Sequence, residues 1–339
     1  MTPAIFGLAG TALTPNETAF FKEADPAGYI LFGRNCETPG QLRALTDSLR
    51  AIHGREKLLI SIDQEGGRVA RLRPPLWSPF PAGEAFDALY QIAPASAIEA
   101  ARLNAYAMGL ELAEMGVSVD YYPPLDVRQD GAHDVIGDRA FGREPKQVAA
   151  LGRAALDGLA RGGVAGCIKH MPGHGRSLTD THKEMPTVTA NRAELERDIA
   201  PFRSMSDAPV GMTGHLLFTA WDGDNPATLS ETIIREVIRE HIGFDGLLLT
   251  DDIDMQALPG TVPERSEKAI AAGCDIVLNC WAKMADMEQL TARIPVMSET
   301  VSQRLERALH YADELQMPGD KTELLVKRDE FLAIAKSAA

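Results

Sequence analysis

Residues 164–182 read V-A-G-C-I-K-H-M-P-G-H-G-R-S-L-T-D-T-H. The apolar run 164–168 has strand composition and passes without a spacer into a lysine, three histidines and an aspartate. A strand that ends directly in proton-active residues belongs to a scaffold that delivers side chains at one end of a sheet. Gly173 and Gly175 free the backbone from the restriction a Cβ imposes, so segment 173–182 is expected to swing over a bound molecule as a lid. Within it Asp180 and His182 lie two apart, on one side of an extended loop, where the carboxylate fixes the imidazole tautomer and raises its basicity. A base held by an acid in this way is a proton-transfer pair.

The same pattern recurs in both directions. Apolar runs at 4–8, 28–32, 58–62, 117–122, 210–213, 246–249 and 275–278 also read as strands, and segments of helical period separate them. Thr14-Pro15 and Thr38-Pro39 pair a capping residue with a first-turn proline, while Gly54, Gly116 and Gly243 follow the last periodic residues. Ile98, Ala101, Ala105, Met108, Leu112 and Met115 form a core-facing stripe on one long helix. Eight strands, each after the first preceded by helix and most ending in polar groups, predict an α/β fold of the (β/α)₈ TIM barrel type. A doubly wound sheet would carry a G-x-G-x-x-G turn after its first strand, and none is there. One barrel spanning 1–339 is expected, with C-terminal helices from about residue 298.

The formal net charge of −14 and the scattered basic residues exclude phosphate-backbone binding, so nucleic acid is not an expected partner. No run reaches the roughly 18 apolar residues of a membrane span. The opening residues lack a basic leader, and Cys36, Cys167, Cys274 and Cys280 show no C-x-x-C spacing. A cytoplasmic monomer acting on a small molecule, with no cofactor and no metal, is the expectation.

Barrel closure would bring Asp63, Arg71, Arg139, Lys169, His170, His215 and Asp251 to one mouth. Asp63 opens D-Q-E-G-G-R-V-A-R (63–71), read as a binding loop because a salt-bridged turn would leave its glycine pair unexplained. In the long loop 74–86, Trp77 and Phe80 either line a sugar site or pin the loop. Asp251 stands first beyond the seventh apolar run, pointing to the mouth, whereas Asp252 and Asp254 read equally well as helix N-caps. A carboxylate at 251 opposite the Asp180–His182 pair supplies a nucleophile on one side and a proton donor on the other, the two roles of acetal cleavage through a covalent intermediate. A rival reading takes His170, His174, Asp180 and His182 as metal ligands, but its His-x-x-x-His spacing falls on a glycine loop rather than a helix.

K-H-M-P-G-H-G followed by D-T-H, with D-Q-E-G-G-R-V-A-R, D-R-A-F-G and T-D-D-I-D-M, resembles the family 3 glycoside hydrolases. Within them the chain is most similar to the single-domain bacterial β-N-acetylhexosaminidases of cell-wall recycling. The resemblance implies a retaining hydrolase with Asp251 as nucleophile and His182, oriented by Asp180, as acid/base. It further implies that Asp63, Arg71, Arg139, Lys169 and His170 grip the hydroxyls of an N-acetylglucosamine, and that the substrate is a GlcNAc-anhydro-N-acetylmuramic acid muropeptide. A β-glucosidase or a phosphorylase of the same family shares these motifs. Met171, Thr181 and Gly214 depart from the family pattern, which bears on subsite packing rather than chemistry.

Overall fold

The computed structural model describes residues 1–177 and 185–338. The chain begins with β1 (Thr2–Gly7), α1 (Pro15–Ala24), β2 (Pro26–Leu31), α2 (Pro39–His53), β3 (Leu59–Ile62), α3 (Gly83–Tyr90), α4 (Pro94–Glu114) and β4 (Val119–Asp120). There follow α5 (Pro145–Arg161), β5 (Ala165–Met171), β6 (Thr187–Val188), α6 (Arg192–Arg203), β7 (Val210–Thr213), β8 (Leu217–Phe218) and a π-helical segment, Ile233–His241. Last come β9 (Leu247–Asp252), α7 (Val262–Ala272), β10 (Ile276–Asn279), α8 (Met284–Arg293), α9 (Glu299–His310) and α10 (Lys321–Ala338).

Eight of these strands close a parallel barrel in the order β1-β10-β9-β7-β5-β4-β3-β2, so the expected (β/α)₈ architecture is what the chain adopts. The seam joins its two ends, with Ala4, Ile5 and Phe6 paired to Val277, Leu278 and Asn279. Helix starts follow the cap chemistry: the Thr14 hydroxyl accepts from Glu17 N (3.1 Å) while the Glu17 carboxylate accepts from Thr14 N (2.9 Å). Thr38 accepts from Gln41 N at 3.2 Å, and Gly54 ends the same helix at φ 60°.

The period-two alternation of the strands separates two apolar layers. Ile5, Ile30, Leu59, Val119, Cys167, Val210, Leu247, Leu249, Ile276 and Leu278 pack inside the barrel. Their neighbours Phe6, Leu31, Ile60, Ile168, Leu248 and Val277 face the helices. On α4 the buried positions extend beyond one stripe because α10 covers a further face through Leu324, Leu325 and Phe331.

Two expectations need correction, and one element is additional to those expected. Asp251, Lys169 and His170 lie within strands rather than beyond them, since pairing of Asp252 with Leu278 and of Met171 with Thr213 carries β9 and β5 past their apolar runs. A second, two-stranded sheet joins β6 to β8 outside the barrel; two-residue strands carry no periodicity to read. The beginning of the expected lid is packed, not free: His174 and Ser177 are buried, and a Cβ on Gly175 would stand 1.9 Å from the Val127 carbonyl oxygen. Gly175 therefore serves close backbone approach at this point. Residues 178–184, with Asp180 and His182, lie outside the described residues.

Candidate active site

The alternation that fills the barrel also builds the site. Continuing each inward row by one position, from Leu59 and Ser61 to Asp63, from Cys167 to Lys169, and from Leu249 to Asp251, brings charged residues to the C-terminal mouth. All three line a cleft of about 270 Å³, together with Arg71, Arg139, His170, His174, Tyr121 and Cys280.

The floor is an ion-paired network. Lys169 Nζ donates to Asp63 Oδ1 at 2.9 Å and lies 2.6 Å from Glu65 Oε1. Arg71 holds the other Asp63 oxygen at 3.1 Å, and Arg139 makes a bidentate pair with Glu65 at 2.8 and 2.7 Å. Burial by itself would neutralise these groups, but the mutual charges outweigh it: Asp63 and Glu65 are held below the usual carboxylate range and Lys169 above the usual amine range. The network is thus fully charged at neutral pH.

Loop 63–71 owes its shape to Gln64 and the glycine pair. Buried Gln64 accepts from Arg71 N (2.8 Å) and Leu72 N (3.1 Å) and donates to Leu72 O (2.9 Å), which fixes the backbone that carries Arg71. Gly66 and Gly67 have φ of 94° and 56°, and Cβ atoms there would come within 2.3 Å of Pro81 O and 2.6 Å of Ala82. Trp77 and Phe80 are buried in the outer core, so they pin the covering loop and do not line the cleft.

His170 is oriented by Asp126, whose carboxylate lies 2.7 Å from Nδ1 and also accepts the backbone N–H groups of His170 (3.2 Å) and His174 (2.7 Å). With Nδ1 engaged there, Nε2 is the nitrogen left for a ligand. His174 packs edge-on at 5.5 Å from the His170 ring; burial first, and then His170, press its pKa down to about 4. Among the described residues its Nδ1 is buried without a hydrogen-bond partner. His215 is fully buried behind the mouth and bonds Thr228 (2.8 Å) and the Asp252 carbonyl (2.9 Å), so it supports the wall and does not line the cleft as expected.

Asp251 accepts from Asp252 N at 2.8 Å. Burial raises its pKa, yet His215, His170, that N–H and Lys169 together leave it lowered, so the carboxylate is ionised and available as a nucleophile. Asp252 goes the other way, with burial and Asp254 pushing it up. Neither Asp252 nor Asp254 caps a helix: Asp252 accepts from Asp254 N (3.1 Å), and Asp254 accepts from Asn279 Nδ2 (2.8 Å) and Cys280 N (3.1 Å). Thr261 caps α7 instead. Among the described residues no group of three or more His, Cys, Asp or Glu is arranged to hold a metal ion.

The family model described as glycosyl hydrolase family 3 N terminal domain matches residues 10–310. The chain belongs to glycosyl hydrolase family 3. Among its relatives in this family, the beta-hexosaminidase of Chromobacterium violaceum is 38% identical over 316 residues, covering 90% of this chain and 86% of that one. The beta-hexosaminidase of Alkalilimnicola ehrlichii is 40% identical over 283 residues, 82% of this chain and 80% of that one. NagZ from Neisseria gonorrhoeae in complex with N-trifluoroacetyl-D-glucosamine superposes with a TM-score of 0.86 at 30% identity, over 98% of each chain. The protein is a family 3 glycoside hydrolase.

Glu65 and Asp126 were not singled out as site residues in the sequence. Glu65 lies inside the 63–71 binding loop, two residues after Asp63. Asp126 followed a strand end at P-P-L-D, where only the neighbouring strand's histidine shows what it is for.

Proposed function

We propose that the protein is a β-N-acetylhexosaminidase that removes terminal β-linked N-acetylglucosamine with retention, from GlcNAc-1,6-anhydro-N-acetylmuramic acid muropeptides in the cytoplasm during peptidoglycan recycling. The observation that carries this reading is the ionised Asp251 carboxylate at the mouth end of β9, sharing one small cleft with the charged Asp63–Lys169–Glu65 floor. Relatives of 38–40% identity that bear the name beta-hexosaminidase support the sugar.

In this mechanism Asp251 attacks the anomeric carbon, the glycosidic bond breaks, and the departing oxygen takes a proton from His182, oriented by Asp180. A water then gives its proton to His182 and attacks the same carbon, which releases N-acetylglucosamine and frees Asp251. Asp63, Arg71, Arg139, Lys169 and His170 bind the hydroxyls. Forked guanidiniums and an ion-paired carboxylate suit vicinal hydroxyls, and two such groups in fixed geometry orient the ring for in-line attack.

Trapping tests the assignment. A 5-fluoro N-acetylglucosaminide should leave its sugar on the peptide that contains Asp251, read by mass spectrometry, and Asp251→Ala should lose on the order of 10⁴-fold in turnover. Sugar found on Asp252, or no adduct from an active enzyme, would remove Asp251 from the role. The substrate is tested separately: kcat/KM for the GlcNAc-anhydromuramyl peptide should exceed that for a β-glucoside by orders of magnitude.

A further inference from the structure

Among the described residues Trp281 is the one aromatic side chain that is mostly exposed, and it is placed beside the cleft. Tyr29, Tyr121, Tyr122 and Phe141 are almost fully enclosed and Trp77 is 9% exposed, whereas Trp281 is 61% exposed. It stands two residues beyond β10, immediately after Cys280, which lines the cleft with Asp251 and Asp252. Its position is therefore the rim of the mouth.

Trp281 is nevertheless held. Its indole Nε1 donates to Asp252 Oδ2 at 3.2 Å, and its backbone N–H points to Asp254 Oδ2 at 3.3 Å, an oxygen that also accepts from Asn279 and Cys280. The next residue, Ala282, has φ 55°, a left-handed conformation uncommon outside glycine, asparagine and aspartate. Fixing a large ring while leaving its apolar surface in water gains nothing for the fold, since side-chain entropy is lost without burial. Such an arrangement makes sense when a ligand completes the burial. Beside the ring, the exposed Lys283 ammonium lies 5.6 Å from its centroid, near enough to Asp254 to offset part of the rise that burial causes in that carboxyl's pKa.

We propose that Trp281 and Lys283 form the aglycone subsite: the indole carries the apolar C–H face of the leaving sugar, and Lys283 pairs with a carboxylate on that sugar's substituent. The assignment rests on the reading of the cleft as the N-acetylglucosamine site, because a sugar seated between Asp63 and Asp251 directs its leaving group outward, past Asp252, to the rim. Trp281 and Lys283 are thereby the residues that favour an acidic, carboxylate-bearing leaving sugar over that of a neutral chitooligosaccharide. Desolvated aromatic surface supplies affinity, and the rim charge supplies discrimination and salt dependence.

Three substrates separate the contributions in the full-length enzyme: N-acetylglucosaminyl β-fluoride, whose leaving group is one atom; diacetylchitobiose, whose leaving sugar is neutral; and N-acetylglucosaminyl-N-acetylmuramic acid, whose leaving sugar carries a carboxylate. Trp281→Ala should lose about tenfold more kcat/KM on both disaccharides than on the fluoride, mainly through KM, and Trp281→Phe should recover part of that loss. Lys283→Met should lose about fivefold on the acidic disaccharide relative to chitobiose, by a factor that shrinks at high salt. Equal loss on all three substrates would mean that Trp281 only props Asp252, and it would overturn the subsite; so would Trp281→Ala and Trp281→Phe variants that are folded and unchanged on the disaccharides. A wild-type enzyme that cleaves none of the three would instead overturn the N-acetylglucosamine reading on which the subsite depends.

Discussion

Lys169 is buried with its ammonium between Asp63 and Glu65, and its removal would leave these buried carboxylates to Arg71 and Arg139 alone. Breaking a buried pair from one side costs about 3–5 kcal/mol, so Lys169→Met should lower stability by that order in denaturant melts as well as abolish turnover. His174 makes a prediction of opposite character. Burial holds its folded pKa at about 4, against 6.5 for the free side chain. Between those values the unfolded chain takes up a proton that the folded protein refuses, so stability is complete above pH 6.5 and declines as pH falls toward 4. The decline amounts to about 3 kcal/mol at its limit. His174→Asn should flatten that part of the stability–pH curve, measured by urea unfolding at half-unit intervals; an unaltered slope would assign it to another group. Asp63 and Lys169 could be read from the sequence because each continues the inward row of an apolar strand. Glu65 and Asp126 could not, since what makes them matter is a partner on another element, Arg139 and His170, 74 and 44 residues away respectively.

The strands themselves were readable as apolar runs, but their C-terminal ends were not. A reading by hydropathy stops a strand where charge begins, whereas the barrel keeps β5 and β9 paired through Lys169 and Asp251 because the mouth is where an inward side chain meets solvent and ligand. Gly175 and Thr14 show how local features divide between site and scaffold. A methyl group on Gly175 would collide with the Val127 backbone, so Gly175→Ala should displace the segment that carries His174, costing about 1–3 kcal/mol and a large part of kcat. Thr14→Ala removes a capping box at a residue that does not line the cleft and should cost about 1 kcal/mol with kcat/KM little changed. Thermal melts and steady-state assays on the two variants check both statements. A Gly175→Ala enzyme of normal activity would show that the 173–177 backbone yields after all.

Helix α10 ties the outer layer together. Arg328, itself buried, donates to Asn104 on α4 (3.0 Å) and to Pro79 O in the loop that covers Gly66 and Gly67 (3.1 Å), and Lys321 reaches Glu111 at 2.7 Å. We expect the full chain to melt in one transition, as a single barrel with its C-terminal helices attached. A chain ending at Gln316 should melt lower, by about 10 °C if several kcal/mol are lost, with KM rising as the loop over the glycine pair loosens. Two separate calorimetric transitions in the full chain would contradict the one-unit reading. The seam between β1 and β10 imposes an order on biosynthesis. The partner of Ile5 is Leu278, so the first strand made keeps one edge unpaired until roughly 270 further residues have left the ribosome. At about 5–20 residues per second that is a wait of some fifteen to fifty seconds. Throughout it the nascent chain carries an open, apolar β-edge of the kind that chaperones cover and that aggregation exploits.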